Sequence, residues 1–345
     1  MHGAMPRLLH PLAAALLTAA CALAAPAGAR GATLAGWDAK QQRQAVQQGL
    51  MSPLQDGGFH GDRPLTGAQL RGALAQLAAL HAAATVAPPV APTVSVIGFD
   101  ALLVRQLGLA DVARAVQAEA AHAGLTPPAR FGTEVVARLL GLRTNHPFAD
   151  EDLELYPFQA ITRAEAAWSL AQAADFDGSQ QQWARDTLAR FVLPRYAGRR
   201  RAALRVAVAR IGMPYVWGGE TDRASSALGG QVHGGYDCSG LAWRVFKLGG
   251  LPGGAALRGR TAAQQAGEIR RGARLRLSQV RGGDLVFFGP GRFWQKATER
   301  RIVHEGIALT PDWMIHASAQ GVYVSPLFDP ERRASFSWGR RMPGS

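Results

Sequence analysis

The chain has 345 residues, 48% of them hydrophobic, and 38 Lys+Arg against 25 Asp+Glu give a formal charge of +13. That apolar content excludes a disordered chain, and the length suits two domains better than one. The charge is lopsided: from Arg195 onward basic residues outnumber acidic ones by 24 to 10, and all but three of the 38 are Arg, so the second half attracts polyanions.

The chain opens with a short basic start, MHGAMPRLLHP, then the apolar run LAAALLTAACALAA and the small-residue stretch PAGARGA. Residues 1–31 read as a removable secretory leader. No other stretch approaches the ~20 apolar residues of a membrane span, so the mature chain is expected to be exported, without a transmembrane segment. Available polyanions are then wall polymers and acidic peptides rather than nucleic acid. Cleavage within ALAAPAGA discards Cys21 and leaves Cys238, the second of two cysteines, with no intramolecular partner. The alternative is a lipoprotein with Cys21 as its lipidated first residue, against which Thr18 stands where a large aliphatic residue is usual.

Residues 36–175 read as repeated helical units. Two segments, one around GLMSPLQDGGFHGDRPLTGAQLRGAL and one around GLRTNHPFADEDLELYPFQAITRAEAAWSL, share a helix, an irregular polar loop and a Thr that starts an Ala-rich helix. Thr66 with Gln69, and Thr162 with Glu165, have capping-box spacing. Between them lie the Pro-rich ATVAPPVAPT and a further helical segment, SVIGFDALLVRQLGLADVARAVQAEAAHAGL. Such units bury their faces against one another. ITRAEAAW, with Thr162, Arg163 and Glu165, resembles the signature of surface-layer homology repeats; the first unit has LTGAQ instead and the middle one lacks the signature. The resemblance implies an all-α repeat domain that holds an exported protein on anionic cell-wall polysaccharide.

From residue 198 the pattern changes. Leu204, Val208 and Ile211 mark one helical face, Gly212 can end that helix and Pro214 prevents its continuation. After a glycine-rich loop, Leu241, Val245 and Leu248 mark a second helix in DCSGLAWRVFKLGG. Cys238 falls at its first turn, where unpaired N–H groups and the helix dipole favour a thiolate, and Asp237 and Ser239 are capping types. A lone cysteine in an oxidising compartment is inert, modified or reactive; one placed between Asp and Ser at a helix start favours reactivity. DLVFF, HEGIAL, WMIHAS and VYVSPL then read as short strands of an antiparallel sheet. His304 shares its face with Gly306 and Ala308, leaving room beside the imidazole, and His316 on the next strand comes within cross-strand reach. Glu305 falls on the opposite face, read as an edge position.

YVWGG, DCSGLAW, GDLVFF, HEGIAL and MIHAS, in this order over about residues 198–330, resemble the NlpC-type cell-wall cysteine peptidases of the papain-like superfamily. The resemblance implies an α+β fold: a papain-like C-terminal domain, a helix packed on an antiparallel sheet, preceded by the all-α repeat domain. It implies Cys238 as nucleophile, His304 as base, His316 as the orienting third residue, and Tyr215, Asp237 and Ser239 in the substrate-binding wall. The reaction implied is hydrolysis of peptidoglycan stem peptides, typically between D-γ-glutamyl and diaminopimelate or lysine, by a secreted, wall-associated thiol protease without a cofactor. The loop over residues 219–236, which carries His233, is expected to shape substrate access. Cys238, His304 and His316 match no zinc spacing. Acyl transfer by the same dyad, or wall binding without turnover, are the competing functions.

Overall fold

In the computed structural model the described residues are 36–343 apart from 226–227, 229–230, 232 and 252; the leader and Cys21 lie outside them. The first half is helical: α1 (Ala39–Gln47), α2 (Gly67–Leu80), α3 (Val96–Gln106), α4 (Ala110–His122), α5 (Phe131–Leu139), α6 (Arg163–Ala174) and α7 (Gly178–Ala189). The middle segment is two helices, because the chain turns through Gly108 at a positive φ of 69°. Caps set the starts. Thr66 and Gln69 form the complete reciprocal box, while the Ser95 and Thr162 side chains accept from the Gly98 and Glu165 N–H groups.

These three caps share a second role. Isolated bridges pair Pro64 with Thr162, Thr66 with Thr93 and Ser95 with Ala160, so the segments entering α2, α3 and α6 are linked pairwise. The middle unit therefore supplies Ser95 where the others supply Thr. The signature residues near α6 are turned inward. Arg163, 1% exposed, donates from Nε to the Phe59 carbonyl at 2.8 Å and from Nη2 to that of Ser52 at 2.7 Å, with its guanidinium over the Phe59 ring. Glu165 is buried against Arg143 at 2.7 Å and His146 at 3.3 Å.

The second half contains α8 (Gly198–Val208), the short pair β1 (Glu220–Thr221) and β2 (Gly235–Tyr236), α9 (Cys238–Ala242), α10 (Ala262–Gly267), β3 (Leu285–Phe288), β4 (His304–Ala308), β5 (Trp313–Ser318), β6 (Gly321–Pro326), α11 (Pro330–Ser335) and β7 (Phe336–Arg340). The main sheet is antiparallel throughout, in the order β6-β5-β4-β3-β7. The fold is thus mixed, helices plus an antiparallel sheet, and α9 packs against β4 and β5. The chain of α9 continues through Leu248 in wider π-type turns. That change of pitch keeps Leu241 and Val245 buried but leaves Leu248 exposed.

One core runs through both halves. Phe131 of α5, Phe191 after α7 and Trp313 of β5 follow one another with ring centroids 6.4 and 5.2 Å apart, and Trp313 Nε1 donates to the Arg190 carbonyl at 2.9 Å. Arg138 of α5 reaches the Gly212 and Gln320 carbonyls.

Candidate active site

The first turn of α9 is held by charge. Asp237, its N-cap, accepts through Oδ1 from the Gly240 N–H and through Oδ2 from the Gly218 N–H at 2.9 Å. Arg260 lies behind it, 5% exposed. Its guanidinium donates to Asp237 (3.0 Å), Ser239 (3.0 Å), Glu220 (2.7 Å) and the Gly218 and Gly219 carbonyls (2.7 and 2.9 Å). A Cβ at Gly240 would lie 1.8 Å from the Gly219 carbonyl oxygen, so only glycine lets the loop close on the helix. Asp237 and Ser239 are consequently buried and bonded to Arg260, whereas Cys238 and Tyr215 keep partial exposure.

On the sheet, His304 at the start of β4 is half-buried and His316 on β5 fully buried. His304 Nε2 lies 2.7 Å from His316 Nδ1, and His316 Nε2 lies 2.9 Å from Ser325 Oγ on β6. Gly306 makes the approach possible, since its missing Cβ would stand 3.1 Å from the His316 Cβ and 2.8 Å from Met314 Sδ. Two proton orders satisfy this chain. In the order where His304 Nε2 and His316 Nε2 both donate, His304 Nδ1 is left with a free lone pair.

Burial pushes the Cys238 thiol up, and the Asp237 and Glu305 carboxylates add to the shift; the Glu305 and Ser239 backbone N–H groups oppose it. Burial also lowers His304, to about 3, with Arg332 contributing, and holds His316 well below its usual value, with His304 and Arg332 contributing. The resting pair is therefore a neutral thiol and a neutral imidazole, where the helix start alone led to the expectation of a thiolate. The reason is electrostatic: one turn of dipole is outweighed by desolvation and two nearby carboxylates. The Glu305 backbone, one residue from His304, bears directly on the sulfur. Glu305 itself is not at an edge. Strand β4 is central, and the side chain is fully buried.

The helical half reaches this site. Asn145 brackets the Tyr215 backbone, donating from Nδ2 to its carbonyl at 2.5 Å and accepting its N–H at 3.3 Å. Glu151 accepts the Trp217 N–H at 2.8 Å, and the exposed Phe148 and Trp217 rings meet edge to face at 6.2 Å. Tyr156 stacks on His233 at 4.3 Å and accepts the Gly234 N–H. Burial raises the Tyr215 phenol well above its usual range, with Cys238, Asp237 and Glu151 adding to the effect. Sequence reasoning passed over Ser325, Arg260, Asn145 and Glu151. Ser325 carried one signal, a polar residue amid the apolar β6; the others carried none.

Residues 212–338 match the model of the NlpC/P60 family. The chain is 30% identical over 151 residues to the "Probable endopeptidase" of Mycobacterium tuberculosis, covering 41% of this chain and 32% of that protein. It is 34% identical over 118 residues to the "Bifunctional muramidase/DL-endopeptidase" of Bacillus subtilis, covering 34% and 28%. It thus spans about a third of the length of these curated relatives. Among solved structures, the NlpC/P60 domain of the peptidoglycan hydrolase SagA is 25% identical, with 41% of this chain and 98% of that one covered and a TM-score of 0.30. An NlpC/P60 family protein from Bacillus cereus is 20% identical, covering 44% and 42%, with a TM-score of 0.31. The ordered blocks, the helix-on-sheet arrangement and the family match agree on one identity for this part of the chain: its C-terminal region is an NlpC/P60 family domain.

Proposed function

We propose that the protein is an exported peptidoglycan endopeptidase that hydrolyses a stem-peptide bond, between D-γ-glutamyl and diaminopimelate or lysine, with Cys238 as nucleophile, His304 as base and His316 as orienting residue. The single observation that carries this reading is the His304–His316–Ser325 chain on β4, β5 and β6, in a sheet whose β4 and β5 pack against α9, the helix that Cys238 opens. In the proton order where both Nε2 atoms donate, it holds a neutral His304 whose Nδ1 is free to take a proton. Because thiol and imidazole rest neutral, the proton leaves Cys238 Sγ for His304 Nδ1 as the sulfur attacks the amide carbonyl. The helix-start N–H of Cys238 faces the developing oxyanion. Collapse breaks the C–N bond, His304 returns the proton to the leaving amine, and water, deprotonated by His304, hydrolyses the thioester to a carboxylic acid and the thiol.

Tyr215 forms the accessible wall of the site, and Asp237 and Ser239, braced by Arg260, form its base. The relatives, a probable endopeptidase and a muramidase/DL-endopeptidase, support the same substrate class. The helical half acts as a surface-layer-homology-like module on anionic wall polysaccharide, a role supported by the three linked caps of α2, α3 and α6. Mass spectrometry of muropeptides after digestion by the wild type and by Cys238→Ala tests the proposal. Stem-peptide fragments from the wild type alone are expected; identical products from both would end it, and a product joined to a second amine would mean acyl transfer.

A further inference from the structure

Glu305 follows the proposed base on the central strand, and strand alternation turns its side chain away from His304. It is 0% exposed, and neither carboxyl oxygen has a hydrogen-bond partner among the described residues. A buried carboxylate in that state is costly by several kcal/mol. Its charged surroundings are Asp237 and Cys238 at the start of α9, Arg260 and Glu268 on either side of α10, and Arg340 on β7; Phe287 on β3 stands opposite it in register. Both guanidinium groups are committed elsewhere. Arg260 serves Glu220, Asp237, Ser239 and two carbonyls, and Arg340 donates to Glu268 at 2.7 Å and to the Gln265 and Ala256 carbonyls at 2.8 and 2.6 Å. His304 and His316, on the other face, rest neutral and supply no positive charge.

We propose that Glu305 is a positioning residue for the nucleophile: its carboxyl and the Cys238 sulfur compete for the one additional negative charge this pocket can hold, so that removing the carboxyl eases formation of the thiolate. Asp237 already carries a charge that Arg260 balances. A second ionised carboxylate would oppose the thiolate, so Glu305 ionisation and Cys238 ionisation exclude one another. Burial raises the Glu305 carboxyl well above the usual range, and the Asp237 charge acts in the same direction.

The proposal rests on Cys238 as nucleophile for its consequence in turnover, but its test needs no turnover. The rate of Cys238 alkylation by iodoacetamide is followed from pH 5 to 10 by mass spectrometry of the Cys238 peptide, in the full chain and in Glu305→Gln and Glu305→Val. The first variant keeps the shape and the second suits a strand, so one remains informative if the other fails to fold. Both variants are expected to lower the midpoint of alkylation by about one pH unit, which is roughly tenfold faster reaction at a fixed pH below the midpoint. An unchanged or raised midpoint in a folded variant overturns the proposal. Wall digestion without the shift would sink this inference alone; the shift without digestion would sink only the peptidase reading.

Discussion

Arg260→Ala tests whether charge compensation holds the site together. The guanidinium and its two carboxylate partners are nearly sealed from water, with side-chain exposures of 6% for Arg260 and 9% each for Glu220 and Asp237. Removing one partner of a buried pair costs about 3–5 kcal/mol, because the remaining charge stays desolvated. Asp237 keeps the N–H groups of Gly218 and Gly240, which places the expected loss near the lower end, about 3 kcal/mol. Lysine restores the charge but not the fork that spans five acceptors, so Arg260→Lys should lose roughly half as much. Urea unfolding followed by tryptophan fluorescence reads both as a lowered midpoint at constant slope. With Asp237 uncompensated beside the sulfur, Cys238 alkylation should also slow at neutral pH. A loss for Arg260→Ala below about 1 kcal/mol, the range of an exposed ion pair, would refute the reasoning.

Arg163→Leu should destabilise the helical half by about 2–3 kcal/mol, since the buried Phe59 carbonyl and the more exposed Ser52 carbonyl lose their donor and the ring of Phe59 its cation; urea unfolding with far-UV circular dichroism checks it, and an unchanged midpoint would mean that the inward-turned signature residue holds nothing. Stability should also depend on pH through His146: burial alone would lower it, but Glu154 and Glu165 outweigh burial and raise it above 6.5. The folded state therefore holds this proton more tightly, and the contribution is complete below about pH 6.5 and is lost as pH rises through the folded value. His146→Gln should flatten that part of the stability profile, measured as thermal midpoint against pH, and a profile as steep as the wild type's would contradict the assignment.

Local order was legible in the sequence. The caps at Thr66 and Thr162 depend on residues three positions away, and the antiparallel strands on period-two patterning and short turns, so both could be read from neighbours. The same holds for Cys238 at a helix start and for His304 and His316 on successive strands, because helix position and hairpin pairing are short-range properties. What tertiary structure decided was burial and charge balance. Arg260 meets Glu220 across 40 residues and Asn145 meets Tyr215 across 70, and no local pattern encodes such partners. Glu305 could be read as an edge residue only while β4 was considered alone; with β3 on one side and β5 on the other it becomes a sealed carboxyl whose charge bears on the sulfur. That placement raises the thiol where the helix start, read by itself, would lower it, because desolvation and neighbouring charge act through space and a linear sequence records only order.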